Sequence, residues 1–422
     1  MNAPLFSVLT PVYNPPTGIL QETIRSVLKQ SFQDWELILV DDASPSEDIR
    51  KVLRHFARRD RRIKLIERAT NGGIVRASND ALAAAHGEFI ALLDHDDLLP
   101  SNALERVAEV LSDDVDYVYS DEDKFDETGR FYDTFRKPDW SPERLRHHMY
   151  TGHLSVIRTG LVQAVGGFRE GFDGSQDYDL VLRVSEKARR IVHIPEVLYH
   201  WRAIQGSAAL SLEAKTYAYP AGLRAIQEHL ERRGLDYAAA FGPAPGYYRI
   251  LRSLDSNLKV SIIIPTRGSK GRVWGEPRFY VLEAVRTALA RTNHVNLEII
   301  VVYDADTPSS VLDELLLIDK DRIVLVPYQE EFNFSRKCNY GFLHATGDLV
   351  VFLNDDTEVI SDCWLEELVT PLLEPDVGMT GAYLLFGDSV VQHAGHSYER
   401  GDWAHSYRGA CLRSSLGRFG DL

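Results

Sequence analysis

Along residues 5–110, short apolar runs alternate with stretches of helical periodicity. Leu5-Phe-Ser-Val-Leu-Thr10, Trp35-Glu-Leu-Ile-Leu-Val40, Ile63-Lys-Leu-Ile66 and Phe89-Ile-Ala-Leu-Leu93 read as strands, and residues 19–30 as an amphipathic helix. Strands separated by helices predict βαβ units and a mostly parallel sheet with helices on both faces. From residue 152 to 198 the pattern is less regular, with a turn at Gly166-Gly167-Phe168 and a helix over 177–187. A second helix, over 212–233, carries Pro220 as a break or restart. Gly242-Pro-Ala-Pro-Gly246 is the strongest linker signal in the chain.

The pattern then begins again. Val260-Ser-Ile-Ile-Ile-Pro265 repeats Phe6-Ser-Val-Leu-Thr-Pro11, and Leu297-Glu-Ile-Ile-Val-Val-Tyr-Asp304 repeats Trp35-Glu-Leu-Ile-Leu-Val-Asp-Asp42. Arg336, Asn339 and Gly347 stand 260 residues after Arg76, Asn79 and Gly87, as Asp356 does after Asp96. Four matched segments in one order predict a duplicated domain. The expected division is a complete domain over 1–210, a helical segment and linker over 211–257, and a second domain over 258–422.

Bulk composition narrows the classes. The 62 Asp and Glu against 47 Lys and Arg give a net charge of −15, which argues against broad nucleic-acid binding. No apolar run approaches a membrane span of roughly 18 residues, and the N-terminus has no signal-peptide pattern. Cys338, Cys363 and Cys411 show no metal-ligand spacing and read as free thiols of a reducing, cytoplasmic compartment. In this acidic chain, residues 50–64 hold eight Lys or Arg and one acid: either a solvated helix face or a surface for anionic lipid.

The candidate chemistry lies where apolar runs end in acids. Phe89-Ile-Ala-Leu-Leu-Asp-His-Asp-Asp97 and Val350-Val-Phe-Leu-Asn-Asp-Asp356 are such runs. In an open α/β sheet the C-terminal ends of strands hold the ligand site. Acids this close repel unless a cation sits among them, and hard oxygen ligands suit Mg²⁺ or Mn²⁺. Each acid alone reads as well as a helix cap. Together, Asp42 suits a nucleobase edge, and Asp94 and Asp96 suit a ribose and a metal.

This arrangement resembles the family 2 glycosyltransferases, inverting enzymes of GT-A fold, over about residues 5–205. The resemblance implies an α/β fold with two tandem GT-A-like domains and a nucleoside-diphosphate-sugar donor, UDP- or dTDP-linked. It places Thr10, Pro11, Tyr13, Asp42, Asn71, Gly72, Arg76 and Asp94 at the donor, and a metal, Mn²⁺ or Mg²⁺, on Asp96 and His200. Asp177, in Ser175-Gln-Asp-Tyr-Asp-Leu180, falls at the family's general base, with Gln176 where a Glu is usual. Tyr13 either stacks on the base or packs in the core, and His200 is either a ligand or part of a packed aromatic strand. Tyr119-Ser-Asp-Glu-Asp123, Lys137-Pro-Asp-Trp-Ser141 and Gly152-His-Leu154 look most like bacterial enzymes of O-antigen or rhamnose-containing polysaccharides, whose acceptors are glycans or lipid-linked saccharides. The three acids at 121–123 face an acceptor or form a solvated loop.

Two other classes bear comparison. A nucleotidyltransferase would show a Lys-containing, Gly-rich loop after the first strand, and Val12-Tyr-Asn-Pro-Pro-Thr-Gly18 has no Lys or Arg. A non-catalytic nucleotide- or carbohydrate-binding module is weakened in the first repeat by Asp177 and His200. In the second repeat Asp304, Arg336, Asp355 and Asp356 form a candidate donor site, with Asn354 in place of Asp94. The proposed base lies 81 residues beyond Asp96, and the same step from Asp356 runs past Leu422. The expectation is a shortened second domain, donor half only, without transfer activity.

Overall fold

The computed structural model describes residues 3–203, 218–399 and 402–405. The chain forms two compact units, residues 1–251 and 252–422.

The first unit opens with β1 (Phe6–Val12), α1 (Thr17–Leu28), β2 (Trp35–Asp41), α2 (Glu47–Arg59), β3 (Ile63–Glu67), α3 (Ile74–Ala83) and β4 (Phe89–Leu92). These four strands are parallel, in the order β3-β2-β1-β4. Every residue of β2 is buried, as expected of a strand covered on both faces. In α1, Leu20, Ile24 and Val27 recur at helical spacing and pack into the same core as Phe6, Val8, Leu37 and Leu39. Strand order reverses between β1 and β4, which opens a crevice at their C-terminal ends.

After α4 (Ala103–Val110) come β5 (Val115–Phe125), β6 (Phe131–Phe135), α5 (Pro142–His147), β7 (Ser155–Arg158), α6 (Thr159–Ala164), α7 (Gln176–Ser185) and β8 (Arg190–Arg202). Antiparallel β7 joins β4 to β5, β6 flanks β5, and β8 runs parallel to β5, completing an eight-stranded sheet. Asp121, Glu122 and Asp123, expected either to face an acceptor or to form a solvated loop, are buried in β5, which rules out the loop.

Residues 218–251 belong to the first unit. They comprise α8 (Ala218–Arg232), with Pro220 in its first turn, and the paired strands β9 (Tyr237–Phe241) and β10 (Tyr248–Arg252). The Gly242–Gly246 segment expected as a linker is the turn between these strands, closed by Gly242 N–H on the Tyr247 carbonyl at 2.9 Å. The Leu212 start of the expected helix lies outside the described residues.

The second unit repeats the first half. It contains β11 (Val260–Thr266), a hairpin of β12 (Lys270–Val273) and β13 (Glu276–Phe279), α9 (Tyr280–Ala290), β14 (Leu297–Asp304), α10 (Ser309–Asp319), β15 (Ile323–Tyr328), α11 (Phe334–Phe342) and β16 (Leu349–Phe352). The order β15-β14-β11-β16 and the parallel pairing repeat β3-β2-β1-β4. Among the described residues, α12 (Trp364–Val369) is followed by a 3₁₀ turn (Thr370–Leu373) and by short strand pairs: β17 (Leu384–Leu385) with β18 (Val391–His393), and β19 (His396–Glu399) with β20 (Asp402–His405).

The duplication extends to a buried polar bracket. Ser7 Oγ donates to Glu36 at 2.6 Å and accepts Gly87 N–H at 2.8 Å. Ser261 Oγ does the same with Glu298 and Gly347, at 2.6 and 2.8 Å. A Cβ at Gly87 would stand 2.5 Å from Ser7 N, and one at Gly347 2.7 Å from Ser261 N, so both sites require glycine.

Candidate active site

The turn after β4 is held by the far end of β8. Tyr199 Oη donates to Asp97 Oδ2 at 2.6 Å and accepts the Asp94 N–H at 3.3 Å. The Arg202 N–H donates to Asp97 Oδ1 at 2.7 Å, and its Nε to the Asp96 carbonyl at 2.6 Å. Backbone bonds between Leu98 and His200 close the bridge. Asp97 is therefore an anchor, its carboxyl pushed well up by burial and by Asp96 and Asp94. Asp96 is raised for the same reason, chiefly by burial.

Carboxylate oxygens of Asp94, Asp96 and Asp97 lie within 4.8 Å of one another, the one group among the described residues able to gather three such ligands for a metal. Hard oxygen donors this close, with burial disfavouring their charge, fit a divalent cation such as Mg²⁺ or Mn²⁺. His200 reaches the same turn by its backbone but is not in this group. Its Nδ1 lies 2.5 Å from Asp123 Oδ1, opposite it in the β5–β8 register, and its ring packs against Phe131. The His200 backbone thus borders the acid turn, while its ring is packed on Phe131 and engaged by Asp123.

Asp42, at the end of β2, is buried and accepts the N–H groups of Gly72 and Gly73 at 2.9 and 2.8 Å, with Arg68 Nε also at 2.9 Å. Gly73 needs its positive φ of 84° to enter α3 in this shape. Asn71 donates from its side chain to the Asp42 carbonyl at 3.2 Å. Asp42, Asn71 and Gly72 therefore form one rigid loop. Leu9 and Pro11 line the cavity beside it, whereas the Thr10 side chain, pointing to the other face of β1, is fully buried. Tyr13 is 51% exposed, which removes the core-packing alternative. Arg76 is exposed and paired with Glu170 at 2.8 Å.

Asp177 lies in the first turn of α7, and it shares one cavity with Asp94, Gly152, His153 and Gln176. Burial raises its carboxyl above the usual range, His153 opposing and Asp94 adding. A raised carboxyl is a better proton acceptor near neutrality. Asp179, two residues on, serves the fold instead. It is fully buried between Arg169 and Arg183, the latter at 3.0 Å through Nε. Gln176 accepts the Gly174 N–H at 2.7 Å and shapes the turn before the helix.

The acids of β5 each have a partner. Asp121 meets His193 Nε2 at 2.8 Å, Asp123 meets His200, and Glu122 meets Lys137 and His153. Burial would raise Glu122, but Lys137 and His153 hold it down at about 2. Burial likewise opposes charge on His153, yet Glu122, with Asp94 and Asp97, brings it up to about 9. Asp97, His153, Tyr199 and Arg202 escaped sequence reasoning. The acid run around Asp97, the Gly152-His-Leu154 segment and the strand containing His200 were the signals that hinted at them.

In the second unit Asp304 Oδ1 accepts Lys337 Nζ at 2.5 Å, and Lys337, fully buried, also donates to the Thr266 carbonyl at 2.6 Å. Thr266 Oγ1 donates to Asp355 at 2.6 Å. Asp355, Asp356, Arg267 and Lys337 line a cavity with Phe332. Arg336 is exposed, 3.8 Å from Glu330. Of the eight cations at 50–64, five are paired with acids: Arg50, Lys51, Arg54, Arg62 and Lys64. No helix among the described residues is long and apolar enough to cross a membrane.

Comparison with known proteins adds three findings. Residues 7–166 and 261–414 match the family described as "Glycosyl transferase family 2". An uncharacterized protein, y4gI, of Sinorhizobium fredii is 43% identical over 402 residues, 93% of this chain and 43% of that protein. The O-antigen biosynthesis protein RfbC of Myxococcus xanthus is 37% identical over 394 residues, 93% of this chain and 30% of that one. The chain thus spans less than half the length of these relatives. Among solved structures, S. aureus TarS 1-349 in complex with UDP-GlcNAc aligns with a TM-score of 0.42 at 21% identity, over 55% of this chain and 72% of that one.

Proposed function

The chain belongs to glycosyl transferase family 2, and on that premise we propose that its first unit transfers a sugar, with inversion, from a nucleoside diphosphate to an acceptor hydroxyl. The observation that carries this reading is the single cavity shared by Asp94, from the acid turn after β4, and Asp177, from the start of α7. Asp94 and Asp96 are the residues that would hold a divalent ion, with Asp97 fixing the turn beneath them. When bound, such an ion offsets the charge of a departing diphosphate. Asp42 and the 71–73 loop, with Tyr13, would contact the nucleoside. The ring of His200, engaged by Asp123, is left out of our ligand set.

Asp177 takes the proton from the acceptor hydroxyl as its oxygen attacks the anomeric carbon. The bond from that carbon to the diphosphate oxygen breaks on the opposite face, and the nucleoside diphosphate leaves with the electron pair. One such displacement inverts the anomeric centre. A glycan or lipid-linked saccharide of a bacterial surface polysaccharide is the acceptor class we favour, supported by the likeness to an O-antigen biosynthesis protein. Presentation of that acceptor on a membrane through residues 50–64 has less support, because most of these cations are neutralised within the fold.

For the second unit we propose nucleotide binding without turnover. Its supporting observations are the cavity at Asp355 and Asp356, the buried Lys337 on Asp304, and the absence, among the described residues, of a three-acid group there. The test is a panel of UDP- and dTDP-sugars with surface-glycan acceptors, with and without Mn²⁺ or Mg²⁺, and proton NMR of the product anomer. Metal-dependent release of one nucleoside diphosphate with an inverted product supports the reading. Retention of configuration, or no binding of any nucleotide-sugar by calorimetry, refutes it.

A further inference from the structure

A string of charged side chains runs from inside the first unit to the wall of its cavity. Lys137, its ammonium fully buried, donates to Glu122 Oε2 at 3.1 Å, to the Thr151 carbonyl at 2.7 Å, and to the His153 carbonyl. The same Glu122 oxygen accepts the His153 N–H at 2.9 Å and lies 3.4 Å from His153 Nδ1. The His153 ring is stacked on Tyr199, centroids 4.5 Å apart and planes 18° apart, with Trp201 at 5.8 Å. Glu122 thus holds the His153 backbone and stands at ion-pair distance from one ring nitrogen, while the stacking on Tyr199 sets the ring plane.

Burying an ion pair is weak support for stability, because desolvation takes back most of the attraction. What Glu122 does set, through the His153 N–H and the nearby ring nitrogen, is the placement of His153 on the cavity wall with Asp94 and Asp177. His153 therefore lines the same cavity as Asp94, proposed for the donor, and Asp177, proposed as base. Asp94, Asp97, Asp177 and Glu122 are all within electrostatic reach of the ring. A ring N–H there meets either a carboxylate already present or an anionic oxygen brought by the ligand.

We propose that His153 binds the donor directly, its Nε2–H donating to a β-phosphate oxygen and gripping it more tightly as the diphosphate leaves. This rests on the transferase reading above. A charge-assisted hydrogen bond of this kind carries roughly a ten- to hundredfold effect on affinity.

The test is calorimetry of UDP against uridine, and of dTDP against thymidine, with Mn²⁺, on wild type, His153→Gln and His153→Lys. Thermal melting of each variant checks the fold. The expected result is a ten- to hundredfold loss of diphosphate affinity in His153→Gln, unchanged nucleoside affinity, and partial recovery in His153→Lys. In transfer assays kcat falls more than KM rises. Equal weakening of nucleoside and diphosphate would show a merely structural residue and overturn the proposal. So would unchanged diphosphate affinity. Failure of wild type to bind either diphosphate overturns the transferase reading, and this proposal with it.

Discussion

Two carboxylates of one helix turn should respond oppositely to the same substitution. Asp179 is fully buried between Arg169 and Arg183, and Asp179→Asn removes the anion they share. Removing one partner of a buried pair costs about 3–5 kcal/mol. The lower end applies here, because Arg183 keeps the Val165 and Gly167 carbonyls and Arg169 keeps Glu228. For a domain of this size, roughly 2–4 °C per kcal/mol gives a drop in Tm of about 6–12 °C. Asp177 has the opposite sign. Its carboxyl is raised by burial, so the folded state disfavours its charge and ionised Asp177 lowers stability above the unfolded-state pKa. Asp177→Asn should therefore keep or raise Tm near pH 7.5, with the difference vanishing below pH of about 4, while abolishing transfer. Differential scanning calorimetry of both variants reads this directly. An Asp179→Asn protein as stable as wild type, or an Asp177→Asn protein that melts several degrees lower, would refute the assignment of roles.

Other outcomes follow from the same geometry. Gly87→Ala places a Cβ 2.5 Å from Ser7 N and should destabilise by about 1–3 kcal/mol in chemical denaturation; a neutral result would mean the bracket is not rigid. Because Asp177 is raised, transfer should fall on the acid side at a pH above the ordinary carboxylate range, and that limb should vanish in assays of donor binding alone. Lys337→Met removes the buried cation on Asp304 and should lower the stability of the second unit by about 3 kcal/mol while leaving transfer by the first unit unchanged. Loss of transfer in that variant would contradict a non-catalytic second unit.

The repeat and the parallel half of each sheet were legible because their signals are local. Runs such as Trp35–Asp41 are apolar apart from Glu36 and the closing Asp41, and each recurs in the second unit with its register kept. Asp94, Asp96 and Asp177 were legible because acids beside strand and helix ends stand out against apolar runs. The acids at 121–123 misled for the same reason: no nearby residue in the chain shows that Lys137, His153, His193 and His200 will meet them. A buried carboxylate is tolerated when paired, and the pairing is a property of the sheet rather than of the segment. His200 was drawn to the right turn by motif, yet its ring partner depends on the β5–β8 register, which periodicity does not reveal. The Gly242–Gly246 turn shows the limit of composition, since Pro and Gly mark a tight hairpin as readily as a boundary.

The central claim is that one cavity joins a donor half at Asp94 and Asp96 to a proton acceptor at Asp177. Its most direct test is calorimetric binding of the active nucleotide-sugar, with and without Mn²⁺, beside single-turnover transfer, for wild type, Asp96→Ala and Asp177→Asn. The account predicts that Asp96→Ala loses metal-dependent binding, and that Asp177→Asn keeps it but transfers nothing. Transfer by Asp177→Asn at the wild-type rate, or undiminished metal-dependent binding by Asp96→Ala, would contradict it.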